Sequence, residues 1–214
     1  MLSETGIEFE ESFMKTVIAA LLLAVMGQSA FAETCEDRFA RLLAEGNPDR
    51  GPVRIHIFQE IVGMMKSENY HYSMGNGTMD GMTEMIEPEN MMWSLFLGNK
   101  MYSSSDKGKT WDFVREMDAA SDPEAVKAKL REDAKTASGV ACASEELDGK
   151  AFDTVEGDYV SSMLQGASVH QKYWVEPDTG IIGKVTTNTK AQGVESNFTQ
   201  IIEPWTDPKL PTPE

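Results

Sequence analysis

Methionine has the least even distribution of any residue type in this chain. Nine of its 14 methionines fall within residues 64–101. A thioether sulfur is a soft ligand that suits Cu(I), and imidazole is a common ligand for copper as well. The sequence therefore allows a Cu(I) site in the Met-rich segment 74–85 and its surroundings. The candidate ligands are His71, Met74, Met79, Met82 and Met85.

The same methionines also fit an apolar lining. Methionine is flexible and polarizable, so it suits cavities that accept apolar groups of variable shape. If the segment is a strand, its side chains alternate between two faces, which separates Met82 from Met79 and Met85. This alternation favours a lining or core role. Copper remains the alternative cofactor, and otherwise we expect no cofactor.

Residues 104–111, with the sequence SSDKGKTW, match the S-x-D-x-G-x-T-W turn known as the Asp-box. In sialidase propellers this motif is a hairpin turn, and it repeats along the chain. Here the motif occurs once. A single copy predicts a well-formed hairpin turn with a buried tryptophan, Trp111, and gives no support for glycosidase activity.

The sequence offers no set of residues on which catalysis could rest. Its three histidines, His56, His71 and His170, lie in strand-like segments and have no spacing typical of a zinc site. No G-x-S-x-G turn is present to expose a nucleophilic serine. We therefore expect a protein that is not an enzyme.

The elements that must position these residues follow an export signal. Residues 16–26 are apolar and uncharged, Lys15 precedes them, and Ala30-Phe31-Ala32 has the small-x-small pattern of a signal-peptidase site. A membrane span would need roughly 20 apolar residues, so no anchor is expected in the mature chain. We predict that residues 1–32 combine a non-native extension with a signal peptide that starts at Met14. Cleavage after Ala32 would give a periplasmic protein.

The charge of the chain limits its partners. Thirty-five acidic against 19 basic residues give a net charge of −16. Such a chain repels nucleic acid and anionic surfaces. We expect no nucleic-acid partner.

The two cysteines, Cys35 and Cys142, both follow the predicted cleavage site. Thiols pair in oxidising compartments, so we predict a disulfide between them. Glu33 and Thr34 stand where a lipobox would have small or apolar residues. We expect a soluble protein without a lipid anchor.

Most of the mature chain has the pattern of an antiparallel meander. Residues 36–44 form a short amphipathic helix with Phe39, Leu42 and Leu43 on one face, and residues 125–137 form a second helix. The segment 170–204 contains three strands separated by turns at 177–180 and 192–193. The other predicted strands are residues 53–62, 70–74, 78–87, 91–97, 100–104, 111–115, 151–155 and 158–163.

About ten strands against two helices predict an α+β fold in one domain, residues 33–203, followed by a Pro-rich tail at 204–214. A large antiparallel sheet curls, and its concave face must be covered by apolar side chains. The helices are the expected cover.

Several short motifs resemble the LolA/LolB superfamily of periplasmic lipoprotein carriers. Residues 173–180, YWVEPDTG, look like that family's aromatic-Trp-Val-x-Pro-x-Thr-Gly strand and turn. Residues 84–97, 107–111 and 147–150 also look like family segments, and the resemblance extends over most of 35–203. It implies a curved antiparallel sheet that forms an incomplete (half) β-barrel covered by two or three helices.

The same resemblance implies a concave apolar face that holds a hydrophobic small molecule, a lipid or a lipoprotein. We therefore expect a monomeric carrier-like protein, although relatives of this type also include structural and regulatory interaction modules. The residues predicted to line the ligand site are Met85, Trp93, Phe96, Trp111, Tyr173, Trp174 and Phe198.

Overall fold

The computed structural model describes residues 33–47, 51–75, 78–117 and 123–213. The predicted signal segment 1–32, with its start at Met14 and cleavage after Ala32, lies outside the described residues. So do residues 76–77, between the predicted strands 70–74 and 78–87, and residues 118–122, before the second predicted helix. The elements below all belong to one compact unit, residues 35–214.

This unit contains two described helices and eleven described strands, as the meander pattern predicts in outline. Helix α1 spans Cys35–Glu45 and helix α2 spans Pro123–Ala134. The strands are β1 Val53–Ile61, β2 Met65–Ser73, β3 Gly81–Glu87, β4 Trp93–Leu97, β5 Lys100–Ser104, β6 Asp112–Glu116, β7 Ser138–Leu147, β8 Lys150–Ser161, β9 Ala167–Val175, β10 Ile182–Ala191 and β11 Val194–Pro204.

All eleven strands form one antiparallel sheet in the order β6-β5-β4-β3-β2-β1-β11-β10-β9-β8-β7. The chain runs outward from β1 to β6, passes through α2, and returns from β7 to β11, which pairs with β1. Within the described sheet, β6 and β7 are the two edges and do not pair with each other. The predicted α+β fold, a curved antiparallel sheet that does not close into a barrel, is confirmed.

The helices bury their apolar faces on one end of the sheet. Phe39 of α1 is fully buried and packs edge-to-face on Tyr159 and Tyr173, at ring-centroid distances of 6.4 and 6.1 Å. The strand residues of this core come from β8, β9 and β10, with Val140 of β7 at its margin. The helices therefore cover the end of the sheet that contains β7 to β10.

Register relates this core to the rest of the sheet. Residues that pair directly across an antiparallel sheet point to the same face. Starting from the core residue Val155, one row of paired residues crosses seven strands: Val155, Tyr173, Val185, Gln200, Ile57, Asn69 and Met85. We call the face to which this row points the helix-side face, and its opposite the outer face.

The predicted strands differ from the structure in extent and in number. Strand β2 begins at Met65, inside a segment predicted as a break, because the turn at Gly63 (φ +75°) lets residues 65–69 continue the hairpin with β1. Strand β7 was not predicted at all. Its side chains show no apolar alternation since it is an edge strand exposed over most of its length.

Strand β8 is continuous, although the sequence predicts two strands separated at Gly157. A Cβ at Gly157 would lie 3.1 Å from Val140 Cγ2 and 3.3 Å from the ring of Phe39. Glycine is therefore needed here because helix α1 approaches the strand closely, and it does not mark a turn.

The Asp-box is a hairpin turn, as predicted. The carboxylate of Asp106 accepts hydrogen bonds from the hydroxyls of Ser104 and Thr110 at 2.8 Å each, and from the backbone N–H groups of Lys109 and Thr110. Gly108 adopts φ +80°, and a Cβ there would lie 2.9 Å from the ring of Trp93. The motif is thus fully used in closing the turn between β5 and β6.

The predicted disulfide is confirmed. Cys35 and Cys142 are bonded, with their Cα atoms 5.8 Å apart, and they lie 107 residues apart in sequence. The bond ties the first residue of α1 to the edge strand β7. It therefore fixes the helical cover to the edge of the sheet.

We expect the loss of this disulfide to be costly. In the chain-entropy model, a cross-link that closes a loop of about 100 residues stabilises the folded state by roughly 4 to 5 kcal/mol. The double variant Cys35→Ala/Cys142→Ala should lower the free energy of unfolding by a similar amount in urea titrations. Reduced wild-type protein is the control and should match the variant. Equal stability of oxidised wild type and variant would contradict the prediction.

A second prediction concerns the Asp-box in acid. The backbone N–H of Thr110 and the hydroxyls of Ser104 and Thr110 lower the pKa of Asp106 from its ordinary 3.8 to about 2. Because the folded-state pKa lies below the unfolded value, the stabilisation is complete above about pH 4 and is lost as the pH falls towards 2. Thermal unfolding of wild type and Asp106→Asn should therefore differ at pH 6 and converge near pH 2.

Asp178→Asn, in the exposed turn between β9 and β10, is the matched control for Asp106→Asn. It should follow the wild type at every pH. A constant difference between wild type and Asp106→Asn from pH 6 to pH 2 would show that the carboxylate charge has no part in stabilising the turn.

Candidate functional site

The helix-side face continues beyond the described helices across β11 and β1 to β5. There it presents half-buried apolar side chains instead of a closed core. We call the helix-side residues of these six strands the open surface. Its apolar members include Ile55, Ile57, Ile61, Met85, Phe96, Met101 and Phe198.

Charge is divided between the two faces of these six strands. The open surface contains no Asp, Glu, Lys or Arg side chain among the described residues, although a quarter of the whole chain is charged. The outer face of the same strands carries Arg54, Glu60, Lys66, Glu68, Glu84, Glu87, Lys100, Glu195 and Glu203. Register therefore produces an uncharged side and a charged side.

Strands β1 and β2 give the open surface an ordered pattern. Ile55, Ile57 and Ile61 form an isoleucine column on β1. The exposed Gln59 stands on the same face between the last two and interrupts the column. Beside it, β2 presents Met65 at its start and then only uncharged polar groups as far as its last residue. We call these polar groups the polar stripe. The polar stripe consists of Ser67, Asn69, His71 and Ser73.

His71 is the one titratable member of the polar stripe. Its Nδ1 lies 3.2 Å from the hydroxyl of Thr83, the residue paired with it on β3. Burial lowers the pKa of His71 below its ordinary value, because the charged imidazolium would lose its hydration. The polar stripe is therefore neutral at pH 7.

The residues predicted to line a ligand site are not brought together as one set. Met85, Phe96 and Phe198 lie on the open surface. Tyr173 points to the same face but is buried beneath the helices, where burial strongly raises the pKa of its hydroxyl. These four residues share a face, and three of them share the open surface.

The three predicted tryptophans lie elsewhere. Trp174 is on the outer face, between the ammonium groups of Lys172 and Lys184 at 5.0 and 4.5 Å from its ring centroid. Trp93 donates a hydrogen bond to the backbone oxygen of Met85 and packs with Trp111 around Gly108 in the Asp-box turn. They therefore stabilise the sheet and its turn.

The candidate Cu(I) ligands are also divided. His71 and Met85 lie on the open surface, while Met82 pairs with Tyr72 and lies on the outer face. Met74 and Met79 belong to the connection between β2 and β3, and Met79 is 47% exposed. The five side chains do not converge on one point.

The outer face has its own network, which the sequence analysis missed. His56 stacks on Tyr70 at 4.4 Å and bonds Glu68 at 2.7 Å, while the guanidinium of Arg54 lies 5.0 Å from the Tyr70 ring. The alternation of residues 54, 56, 58 and 60 was the signal that could have revealed it. These side chains form hydrogen bonds and ring contacts with one another, so the network stabilises the sheet.

A second part of this network involves Tyr72. Its hydroxyl donates to Glu84 at 2.9 Å, and its ring lies 5.1 Å from that of Trp205. Burial and then the bond to Glu84 raise the pKa of Tyr72 to about 12. The tail after β11 is thus attached to the outer face at Trp205.

A shallow depression of about 320 Å³ lies further along the outer face. Its lining is mostly polar and includes three carboxylates with one lysine. No group of three His, Cys, Asp or Glu side chains in the described part of the chain is arranged to hold a metal ion. The lining residues are Phe58, Gln59, Glu60, Lys66, Ser67, Glu68, Glu87, Asn197 and Thr199.

Neither described helix has the length and apolar character needed to span a bilayer.

The neutrality of His71 can be tested directly. Because burial holds its folded-state pKa below 6.5, its contribution to stability is present above about pH 6.5 and is lost as the pH falls. An NMR titration of the imidazole resonances should give a pKa below that of a histidine peptide. Thr83→Val is the control. The pKa of His71 should remain lowered in this variant, since burial causes the shift. A pKa at or above 6.5 would contradict the prediction.

Comparisons with known proteins found similarity to solved structures. No protein-family model matches the chain, and no curated protein matches it. Among solved structures, a LolA superfamily protein from Nitrosomonas europaea is similar with 10% identity and a TM-score of 0.32, over 81% of this chain and 93% of that one.

Two further solved structures are similar. A proposed outer membrane lipoprotein-sorting protein domain from Vibrio parahaemolyticus has 9% identity and a TM-score of 0.35, over 81% of this chain and 92% of that one. A DUF1329 family protein from Desulfovibrio piger has 12% identity and a TM-score of 0.27, over 79% and 90%. At these identities and TM-scores, the function must be sought in this chain's own side chains.

Proposed function

We propose that this chain is a non-enzymatic, carrier-like binding protein that holds a hydrophobic ligand against the open surface. The ligand is an acyl chain of a lipid or lipoprotein, or an apolar segment of a partner. The observation that carries the proposal is the uncharged open surface. It continues the face that buries the core under α1 and α2, yet neither described helix packs over its central strands.

Covering such a surface is favourable. Burial of apolar surface contributes roughly 25 cal/mol per Å², or about 1.5 to 3 kcal/mol for each large aliphatic side chain that becomes fully buried. Ile55 and Ile57 are neighbours on this face of β1, and Phe198 of β11 is diagonal to Ile57. All three are half-buried, so one extended apolar ligand could contact them along the sheet. A contiguous apolar patch of this kind is typical of a binding surface.

The compartment is part of the proposal. The disulfide between Cys35 and Cys142 supports an oxidising location such as the periplasm, because cytosolic thiols are kept reduced. The export signal predicted for residues 1–32 points to the same place. We propose that the protein acts there as a soluble monomer, with its charged outer face in contact with water.

Adjacent residues on β1 allow a matched test of the binding surface. Ile57 lies on the open surface, and Phe58 lies on the outer face, where it is 38% exposed. Ile57→Asn should weaken the binding of Nile Red, an uncharged apolar dye, by roughly tenfold or more, since one buried aliphatic contact is lost. Phe58→Asn is the control and should bind the dye as the wild type does.

Equal dye affinities in these two variants would contradict the assignment of the binding surface to the helix-side face. Native mass spectrometry of protein purified from its own cells is the complementary test. The proposal predicts a co-purifying lipid or apolar segment. The absence of any bound species, together with no dye binding, would overturn it.

A further inference from the structure

We infer that the open surface selects uncharged amphiphiles and rejects ligands with an ionised head group. The polar stripe on β2 would contact the neutral hydrogen-bonding group of the ligand, an ester, amide or hydroxyl, and the isoleucine column on β1 would contact its chain. This inference rests on the proposed function and specifies its ligand.

The first support is the missing counter-charge. An ionised carboxylate or phosphate that is moved out of water requires a partner of opposite charge, or it loses its hydration without compensation. The described open surface offers no Lys or Arg side chain, and burial keeps His71 neutral. The lysines and arginines of the same strands point to the outer face. Arg115 lies on the helix-side face of the edge strand β6, where it pairs with Met101 of β5, and is four strands away from β2. An anionic head group at the polar stripe therefore has no ion pair to make there.

The second support is the presence of unused neutral hydrogen-bonding groups. Gln200 and Asn69 flank Ile57 in one register row, and all three are half-buried. Within the described residues, neither amide side chain has a hydrogen-bond partner, whereas Asn188 and Asn197 on the outer face bond each other at 2.7 Å. An amide offers both a donor and an acceptor, so it can bind an ester, an amide or a hydroxyl.

The third support is the arrangement of the two columns. Neighbouring strands lie about 4.8 Å apart, so the isoleucine column and the polar stripe are one strand spacing apart. The column from Ile55 to Ile61 extends for roughly 20 Å at about 3.3 Å per residue. Gln59 interrupts it near one end. A ligand with a long chain and a laterally placed polar group fits this geometry.

A small amphiphile fits better than an extended peptide. Peptides commonly bind to sheets by adding a strand at an exposed edge, where backbone N–H and C=O groups are free. The backbone groups of β1 and β2 are already paired on both sides, with β11 on one side and β3 on the other. The open surface therefore offers side chains and no free strand edge.

The test compares three ligands that carry the same acyl chain: a monoacylglycerol, the fatty acid and a lysophosphatidate. Displacement of Nile Red from the full chain at pH 7.5 gives their affinities below the critical micelle concentrations. We expect the monoacylglycerol to bind at least tenfold more tightly than either anion, which corresponds to about 1.4 kcal/mol. A fatty acid or lysophosphatidate that binds as tightly as the monoacylglycerol would overturn the inference.

Two variants assign the selectivity to the polar groups. Asn69→Leu and Gln200→Leu replace the amides by apolar groups of similar size, so each should reduce the preference for the monoacylglycerol by about three- to tenfold. Nile Red binding should be retained, which also shows that the variants fold. Thr199→Val, on the outer face beside Gln200, is the control and should not change the preference. An unchanged preference in both leucine variants would refute the role of the polar stripe.

The two proposals fail in different ways. If neither Nile Red nor any of the three ligands binds, the proposed function is wrong. If Nile Red binds but the three ligands show no preference, only the selectivity is wrong. If an extended apolar peptide displaces the dye at concentrations where the monoacylglycerol has no effect, the ligand is a peptide and the inference of an amphiphile is wrong.

Discussion

The structure depends on a mismatch between the width of the sheet and the size of its helical cover. A helix with its side chains is about 10 to 12 Å wide, and neighbouring strands lie about 4.8 Å apart. Two helices side by side therefore cover about four strands. The core beneath α1 and α2 draws its buried strand residues from β8 to β10, with half-buried Val140 of β7 and Ile202 of β11 at its two margins, which is close to the number expected. The helix-side face of the remaining strands must be closed in some other way.

The side chains of those strands reflect this constraint. Because successive residues of a strand point to opposite faces, a charge can be moved to the outer face by its position in the sequence alone. On the outer face, Arg54 forms an ion pair with Glu203 and packs on the Tyr70 ring, and His56 is hydrogen-bonded to Glu68. The open surface keeps its apolar groups and its neutral amides free of such pairs. The division of charge thus leaves this surface uncharged, as the proposed function requires.

The fold was largely predictable because its signals are local. Alternation located most strands, the spacing of Phe39, Leu42 and Leu43 located α1, and two cysteines allowed one disulfide. Errors arose where the local signal was weak or misleading. Strand β7 is held at an edge and lacks apolar alternation, and Gly157 looks like a turn residue because its contact with Phe39 is made over a long sequence separation.

The site was less predictable, since a list of aromatic residues contains no information about faces. Tyr173 and Trp174 are adjacent in β9 and must point to opposite faces, so they could not line one cavity together. Trp174 and its two lysine neighbours lie on the outer face, which also carries most of the charge of the sheet. The chain as a whole has a net charge of −16. Like-charged molecules repel one another in solution, which opposes association through their exposed apolar surfaces. The acidity of the chain and the neutrality of the open surface are therefore complementary. The first opposes self-association through the partly apolar open surface, and under the proposed function the second leaves that surface available to an uncharged ligand.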